Sequence, residues 1–315
     1  MTDRYVVRRL ATALVTLLLV TVVTYAIIFV APGDPAELTL RELLGQPPTD
    51  AQIEAFRAEH GLDEPFYVQY LGWLADLLRG DLGESYYHGR SVGELLVARL
   101  PVTLALAAGG MAVSLAIAVP TGVASALHPN SPIDHASQLF ALVGVAMPNF
   151  WLGYVLIFIL ALGAGWVPVS GHGSPAHLVL PSLTLGTGLA AVQTRLIRSA
   201  MLDVLDAEFV DAARARGVRE RVVVYRHALR NALLPVVTVV GLQLGFLLNG
   251  AVIVEIVFQR PGVGMLLVEA VFDRDFPVVQ GVTLLAGVLF VVLNVGTDLL
   301  YRHLDPRISL GGEPA

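Results

Sequence analysis

The stretch Arg195–Pro235, RLIRSAMLDVLDAEFVDAARARGVRERVVVYRHALRNALLP, lies between two long apolar segments and decides the fold. It carries eight of the chain's twenty basic residues. It cannot span a bilayer, because a charged residue at the membrane centre costs at least about 2.5–3.5 kcal/mol. Its alanines and its apolar spacing predict a helix that ends at Gly217, and a second helix from Arg219 to Asn231 that leads to Pro235. We therefore predict a basic helical hairpin hung between two membrane spans and shaped to be held from outside the membrane.

The composition is that of a polytopic membrane protein. Its 315 residues are 55% hydrophobic and only 15% charged, whereas a soluble domain averages about 25% charged residues. The basic residues are all arginine, and an ordinary P-loop needs a lysine, so the chain holds no such ATP-hydrolysing site of its own. The absence of cysteine excludes disulfides, thiol catalysis and cysteine-ligated metals.

Hydropathy predicts an all-α protein with six transmembrane helices. The first apolar run, residues 10–30, has about the 20 residues that a span needs, whereas a cleaved signal peptide has an apolar region of only about 7–15. The arginines of the N-terminus, the hairpin and the tail share one face, which the positive-inside rule places in the cytoplasm. The predicted organisation is a cytoplasmic segment and first span (1–30), an extracytoplasmic helical insertion between helices 1 and 2 (31–98), a five-helix core (99–301) that contains the cytoplasmic loop 201–231, and a cytoplasmic tail (302–315).

The insertion is acidic, with twelve Asp and Glu against four Arg. Thr49 and Gln52 form a capping-box pattern that predicts a helix start, and a stripe of aromatic and apolar residues in 65–78 predicts a second helix packed at the rim of the membrane domain. Residues 259–277, rich in Pro, Gly and Asp, are predicted to form a loop.

Polar residues within the spans are candidates for lining a passage. Pro148 frees a backbone carbonyl in the third span, which indicates either a pathway-lining break or a simple kink. Gln243 and Asn249 could line a passage or bond to another helix. The absence of ionisable groups at the midplane argues against an ion-coupled carrier. The pathway-lining candidates are Pro148, Asn149, Gln243, Asn249 and Glu255.

No motif predicts a catalytic residue or a metal site. The spacing Gly186-x-Gly188-x-x-Ala191 imitates a dinucleotide fingerprint but lies in an apolar span, which indicates helix packing. The arginines of the hairpin could anchor lipid headgroups, but an anchor needs only charge, whereas a tight socket needs the small residues that surround Gly217.

The segment Asp211-Ala212-Ala213-x-x-x-Gly217, followed by a basic helix and Leu234-Pro235, resembles the EAA loop of bacterial ABC importer permeases, with Asp211 where the general motif has Glu. Further stretches resemble the first permease subunit of the dipeptide, oligopeptide and nickel branch. They are Ala31-Pro32-Gly33-Asp34-Pro35, Gly61-Leu62-Asp63-x-Pro65, Gly80-Asp81-Leu82-Gly83-x-Ser85, Pro148-x-Phe150-Trp151-Leu152-Gly153, Gly165-Trp166-x-Pro168-Val169-Ser170-Gly171, Leu180-Pro181-Ser182-Leu183-Thr184-Leu185-Gly186, Gly250-Ala251-Val252-Ile253-Val254-Glu255 and Asp275-x-Pro277-Val278-Val279-Gln280-Gly281.

This resemblance implies the type I ABC importer fold and a multi-pass subunit of the bacterial cell membrane with both termini in the cytoplasm. It implies a second permease subunit, two ATP-binding subunits that hold ATP and Mg, and an extracytoplasmic substrate-binding protein, with membrane lipids around the complex and no nucleic acid. The chain itself would hold no cofactor and catalyse no reaction. The implied substrates are di- and oligopeptides, with nickel, glutathione or another small solute as the alternative. The distant alternative to an ATP-driven importer is a stand-alone secondary carrier or channel. The residues expected to couple to the ATPase are Glu208, Asp211, Ala212, Ala213, Arg216, Gly217, Arg219 and Glu220.

Overall fold

The computed structural model describes residues 2–30 and 33–304, and this part of the chain is helical with no β-sheet. The predicted all-α class is therefore confirmed. Of the predicted tail, residues 305–315 lie outside the described part. The helices are α1 Thr2–Val30, α2 Pro35–Leu44, α3 Asp50–His60, α4 Phe66–Leu78, α5 Val92–Leu127, α6 Pro132–Ala146, α7 Asn149–Leu156, α8 Ala176–Leu205, α9 Glu208–Ala215, α10 Glu220–Val222, α11 Leu229–Val257, α12 Val263–Phe272 and α13 Phe276–Leu304, with π-helical segments at Ile157–Gly163 and Val223–Ala228.

The chain divides into two compact units, residues 1–102 with 261–291 and residues 103–260 with 292–315. In the first unit, the predicted capping box is present at the start of α3, where the Thr49 N–H donates to Gln52 Oε1 over 2.8 Å. The aromatic stripe of α4 packs on α1, since the ring of Tyr25 lies 5.6–5.8 Å from the rings of Phe66, Tyr70 and Trp73.

The prediction of a loop over residues 259–277 is wrong in its middle, because α12 occupies Val263–Phe272. The flanks, rich in Pro, Gly and Asp, end the helix on both sides. Because they are typical of loops, the short apolar run between them was also interpreted as loop. Val263, Leu266 and Ala270 are buried in a core with Val92 and Val278 of the same unit. This burial stabilises a helix that is too short to form alone in water.

In the second unit, α8 packs against α6, α7 and α11. A β-carbon at Gly186 would lie 2.6 Å from the Gly110 carbonyl oxygen, so α5 and α8 approach backbone to backbone. This confirms that the Gly186 spacing serves helix packing. A β-carbon at Gly241 would likewise clash with Thr297 of α13.

The third predicted span is broken. Helices α6 and α7 meet at Met147 and Pro148 with a bend of 109°, too sharp for a simple proline kink within one helix. The π-helical segment Ile157–Gly163 then continues α7, and such wide turns often lie at functional sites.

Three helices of the described chain are long and apolar enough to cross a membrane, or four if the bent pair counts as one span. The chain is thus a multi-pass membrane protein, while the count of six spans remains a prediction. The second hairpin helix was expected to end at Asn231, but it runs on without a break through a π-helical segment into α11, which contains Pro235.

Candidate functional site

The loop predicted to meet an external partner is a tight helical hairpin. Helix α8 ends at Leu205, and α9 begins at Glu208 after an extended Ala207 with φ −80° and ψ 142°. Glu208 and Asp211 lie in the first turn of α9, where their negative charge suits the positive end of the helix dipole. The start of the predicted coupling segment is therefore fixed by local backbone geometry and charge.

Gly217 ends α9 in the left-handed conformation, with φ 76°. Its N–H donates to the Arg214 carbonyl over 2.9 Å, and the Val218 N–H donates to the Ala213 carbonyl over 3.2 Å. These two bonds are the Schellman arrangement, in which glycine is preferred because it has no β-carbon to strain. The predicted turn at Gly217 is therefore confirmed, together with its reason.

Arg214 joins the two sides of this turn. Its guanidinium lies 3.1 Å from Glu220 and 3.4 Å from Asp211. The hydrogen bond with Glu220, more than that with Asp211, raises the pKa of Arg214 above its ordinary value. Because all three side chains are exposed, these pairs contribute little stability but orient the charges around Gly217.

The hairpin presents apolar groups to its surroundings. The exposed fractions are 45% for Phe209, 37% for Val222 and 59% for Tyr225. Sequence reasoning missed these three residues, although apolar side chains within so charged a stretch are a usable signal. Of the residues predicted to couple to the ATPase, Ala213 is half-buried and the others are exposed: Glu208, Asp211, Ala212, Arg216, Gly217, Arg219 and Glu220. Exposed apolar groups ringed by charge are typical of a protein interaction site. We name Phe209, Ala212, Gly217, Val222 and Tyr225 the hairpin surface.

The opposite side of the hairpin is anchored in the core of the second unit. Val210 and Val223 are fully buried. Val224 and Ala228 belong to a buried cluster with Met201 of α8. The hairpin surface is thus carried on a segment that is packed from behind.

A buried carboxylate ties three helices together near the hairpin. Asp134, at the start of α6, is fully buried and accepts hydrogen bonds from Ser125 of α5 over 2.6 Å and from Gln138 over 3.0 Å. Two nitrogens of Arg198 on α8 each donate to it over 2.7 Å. The bonds hold α5, α6 and α8 in fixed register seven residues before α8 ends.

Two of the predicted pathway residues are enclosed within the second unit. Gln243 accepts a hydrogen bond from Gln193 over 2.7 Å, and Gln193 accepts one from Ser114 over 2.6 Å, so a buried polar chain links α11, α8 and α5. Glu255 is fully buried and accepts from Thr103 over 2.6 Å.

The other candidates lie at the break in the third span and in α11. Pro148 is exposed. A β-carbon at Gly188 would lie 3.3 Å from Asn149 Oδ1, and one at Gly250 would lie 3.8 Å from Asn149 Nδ2, so this amide sits between two glycines. Asn249 belongs to α11, but its side chain lies outside the described residues. That these residues line a passage remains a prediction.

Within residues 2–30 and 33–304, no group of three or more His, Asp or Glu side chains is arranged to hold a metal ion. The Ser174 hydroxyl in the loop before α8 lies 2.7 Å from Nδ1 of His177 in the first turn of that helix.

Comparison with known protein families gives two adjoining matches. Residues 118–310 match the family described as binding-protein-dependent transport system inner membrane component. Residues 2–107 match the N-terminal segment of binding-protein-dependent transport system membrane components. Together the matches span most of the chain.

Relatives of known name align over nearly their full length. The oligopeptide transport system permease protein AppB of Bacillus subtilis (strain 168) is 41% identical, over 97% of this chain and 99% of AppB. The glutathione transport system permease protein GsiC of Salmonella typhimurium (strain LT2) is 41% identical, over 96% of this chain and 98% of GsiC. Among solved structures, the methionine ABC transporter MetNI in inward-facing conformations matches with a TM-score of 0.55 and 19% identity, over 67% of this chain and 96% of the MetNI chain. This likeness shows the type I ABC importer fold.

Proposed function

We propose that this chain, which belongs to the family of binding-protein-dependent transport system inner membrane components, forms half of a passage for di- and oligopeptides. It is a permease subunit of an ABC importer and not itself the enzyme, since the ATPase activity of such importers lies in separate subunits. It works with a partner permease, an ATPase and a substrate-binding protein. In our proposal the complex contains two different permeases and two ATP-binding subunits, which hold the ATP and Mg, in a bacterial cell membrane with both termini of this chain in the cytoplasm.

The hairpin surface is the proposed seat of the ATPase subunit. The observation that carries this proposal is the closed turn at Gly217, which leaves small and apolar groups exposed on a segment anchored from behind. Small side chains such as Ala212 let a partner approach closely, while Phe209 and Tyr225 offer apolar area to bury. Closure of the ATPase around ATP would displace the hairpin and, through α8 and α11, tilt the membrane helices.

A peptide substrate is supported by the relatives, whose names include an oligopeptide permease. Glutathione is the second candidate, favoured by relatives named as glutathione permeases. Both substrates present backbone amides and carboxylates, so the passage needs polar groups along its wall. We propose Pro148, Asn149, Gln243, Asn249 and Glu255 for this role, which the buried Gln243 and Glu255 would fill only once the helices that enclose them move apart.

Coupling is tested by Ala213→Arg in the complete complex reconstituted in proteoliposomes. A large charged side chain at this half-buried position would block the close approach of the ATPase. Peptide uptake and substrate-stimulated ATPase activity should both fall to background, while membrane insertion stays normal. The matched control is Ala58→Arg, at an exposed position of α3, which should transport normally. Normal uptake by the Ala213→Arg complex would show that the hairpin is not the coupling element.

Substrate class is tested by competition in the same vesicles. A radiolabelled tripeptide should enter only when ATP, the ATPase and the binding protein are all present. Unlabelled di- and oligopeptides should compete with it, and competition by glutathione alone would identify glutathione as the substrate. Uptake by this chain reconstituted without partners would contradict the importer mechanism as a whole.

A further inference from the structure

The first unit contains a half-open cavity of about 1180 Å³ that plays no part in the coupling hairpin. Its walls come from the end of α1, from α3 and α4, from residues 82–89 and from the start of α13. Pockets for drug-sized ligands measure roughly 300–1,000 Å³, so this space could hold a ligand of at least that size.

Aromatic rings form the walls at two places. Phe56 stacks on His60 at 4.1 Å between ring centroids, and Tyr86 meets both rings edge-on at 4.8–5.4 Å. Tyr25 and Trp73 form a second aromatic wall, 5.8 Å apart. Burial raises the pKa of Tyr86 above its ordinary value, so its ring stays a neutral phenol. Ring faces of this kind attract cations.

Carboxylates around the cavity carry more negative charge than the chain itself balances. Two are paired, Asp34 with Arg57 at 2.6 Å and Asp76 with Arg79 at 2.7 Å. Four others have no Arg or His within ion-pair distance in the described part of the chain. These are Glu59, Asp63, Glu64 and Glu84.

We propose that this cavity binds a small solute that carries both a cationic ammonium or guanidinium group and an apolar group, as a short basic peptide does. The aromatic walls contact the apolar part of the solute and bind its cationic group through the faces of their rings. The unpaired carboxylates neutralise the charge of that cationic group. An anionic solute would meet an excess of like charge, because six carboxylates line the cavity and Asp34 already engages Arg57. This site can be tested without transport, so its outcome is separate from that of the proposed import function.

The probe is the tripeptide Lys-Phe-Lys, measured by calorimetry on the purified complex in an uncharged maltoside detergent without the substrate-binding protein. Lys-Phe-Lys should bind, with an affinity that falls as NaCl is raised, and Glu-Phe-Glu should not. The double change Glu59→Gln with Glu84→Gln should weaken binding by about three- to tenfold, as the loss of two exposed charge contacts predicts. Phe56→Leu should weaken it by about two- to fivefold.

The matched control is Glu54→Gln, an exposed position of α3 outside the cavity lining, which should leave the affinity within about twofold of the wild type, since one exposed charge that does not line the cavity contributes little. Thermal unfolding of each variant checks that the fold is intact. Equal binding by the wild type and the double variant would overturn the proposal. The proposal would also be overturned if Lys-Phe-Lys did not bind and the double variant weakened docking of the substrate-binding protein. The occupant would then be a basic side chain of that protein.

Discussion

Replacing Gly217 by alanine should weaken docking of the ATPase through the backbone alone. Gly217 has φ 76°, and a β-carbon there would meet nothing within 4 Å, so the change adds no steric clash. The left-handed conformation costs a residue with a β-carbon roughly 1–2 kcal/mol. If only the fraction of molecules that keep this turn can dock, the apparent affinity falls by up to about 5–30-fold.

The assay titrates the purified ATPase subunit onto the permease in detergent and follows substrate-stimulated ATP hydrolysis in parallel. Gly45→Ala is the matched control, because Gly45 has φ 64° and equally open surroundings but ends α2 in the insertion. It carries the same backbone penalty and should dock normally. Gly217→Asn should be milder than alanine, since asparagine tolerates this conformation, and Gly217→Pro should abolish docking because its φ is fixed near −65°.

Two results would refute this reasoning. Normal docking by Gly217→Pro would mean that the turn is not part of the interface. Equal losses for Gly217→Ala and Gly45→Ala would mean that the effect is general destabilisation and not a local change of the hairpin.

Three further predictions concern the packing that supports the hairpin, and thermal unfolding of the purified permease measures each. Asp134→Asn should lower Tm by about 5 °C or more, whereas Asp76→Asn, which breaks an exposed ion pair of equal length, should change Tm by under about 2 °C. Gln193→Leu should destabilise by about 1–2 kcal/mol, because it leaves a buried hydroxyl and a buried amide without their partner. Gly186→Ala should destabilise by about 1–3 kcal/mol through overpacking, whereas Gly296→Ala, where a β-carbon meets nothing within 4 Å, should not.

Signals that act within a few residues were sufficient to predict several features. The capping box of Thr49 and Gln52, the helix end at Gly217 and the break at Pro148 each depend on backbone geometry that one or two side chains impose. Such preferences hold whatever the surroundings, so they can be predicted from the sequence.

Features that depend on partners distant in the chain were not predictable in the same way. Asp134 and Arg198 are 64 residues apart, and neither shows in isolation that it pairs with the other. Nothing in the local sequence singles out Gln193, and only the packing of α5, α8 and α11 gives it two partners. The second hairpin helix was expected to end at Asn231, but it continues into α11 because apolar residues beyond that point, such as Ala232 and Val236, are buried in the core.

The same distinction separates the two halves of the proposed coupling mechanism. The small residues that would let a partner approach are local and were expected from the sequence. The hairpin surface can transmit force only if the structure behind it is rigid. That rigidity comes from contacts between residues distant in the chain: Val210 and Val223 are buried behind the hairpin, and Asp134 binds Arg198 near the end of α8. A change at the hairpin surface should therefore reduce docking itself, whereas a change at Asp134 should leave docking intact and reduce the transport obtained per ATP hydrolysed. Measuring docking and the transport per ATP hydrolysed on both variants therefore separates the contact surface of the hairpin from the packing that supports it.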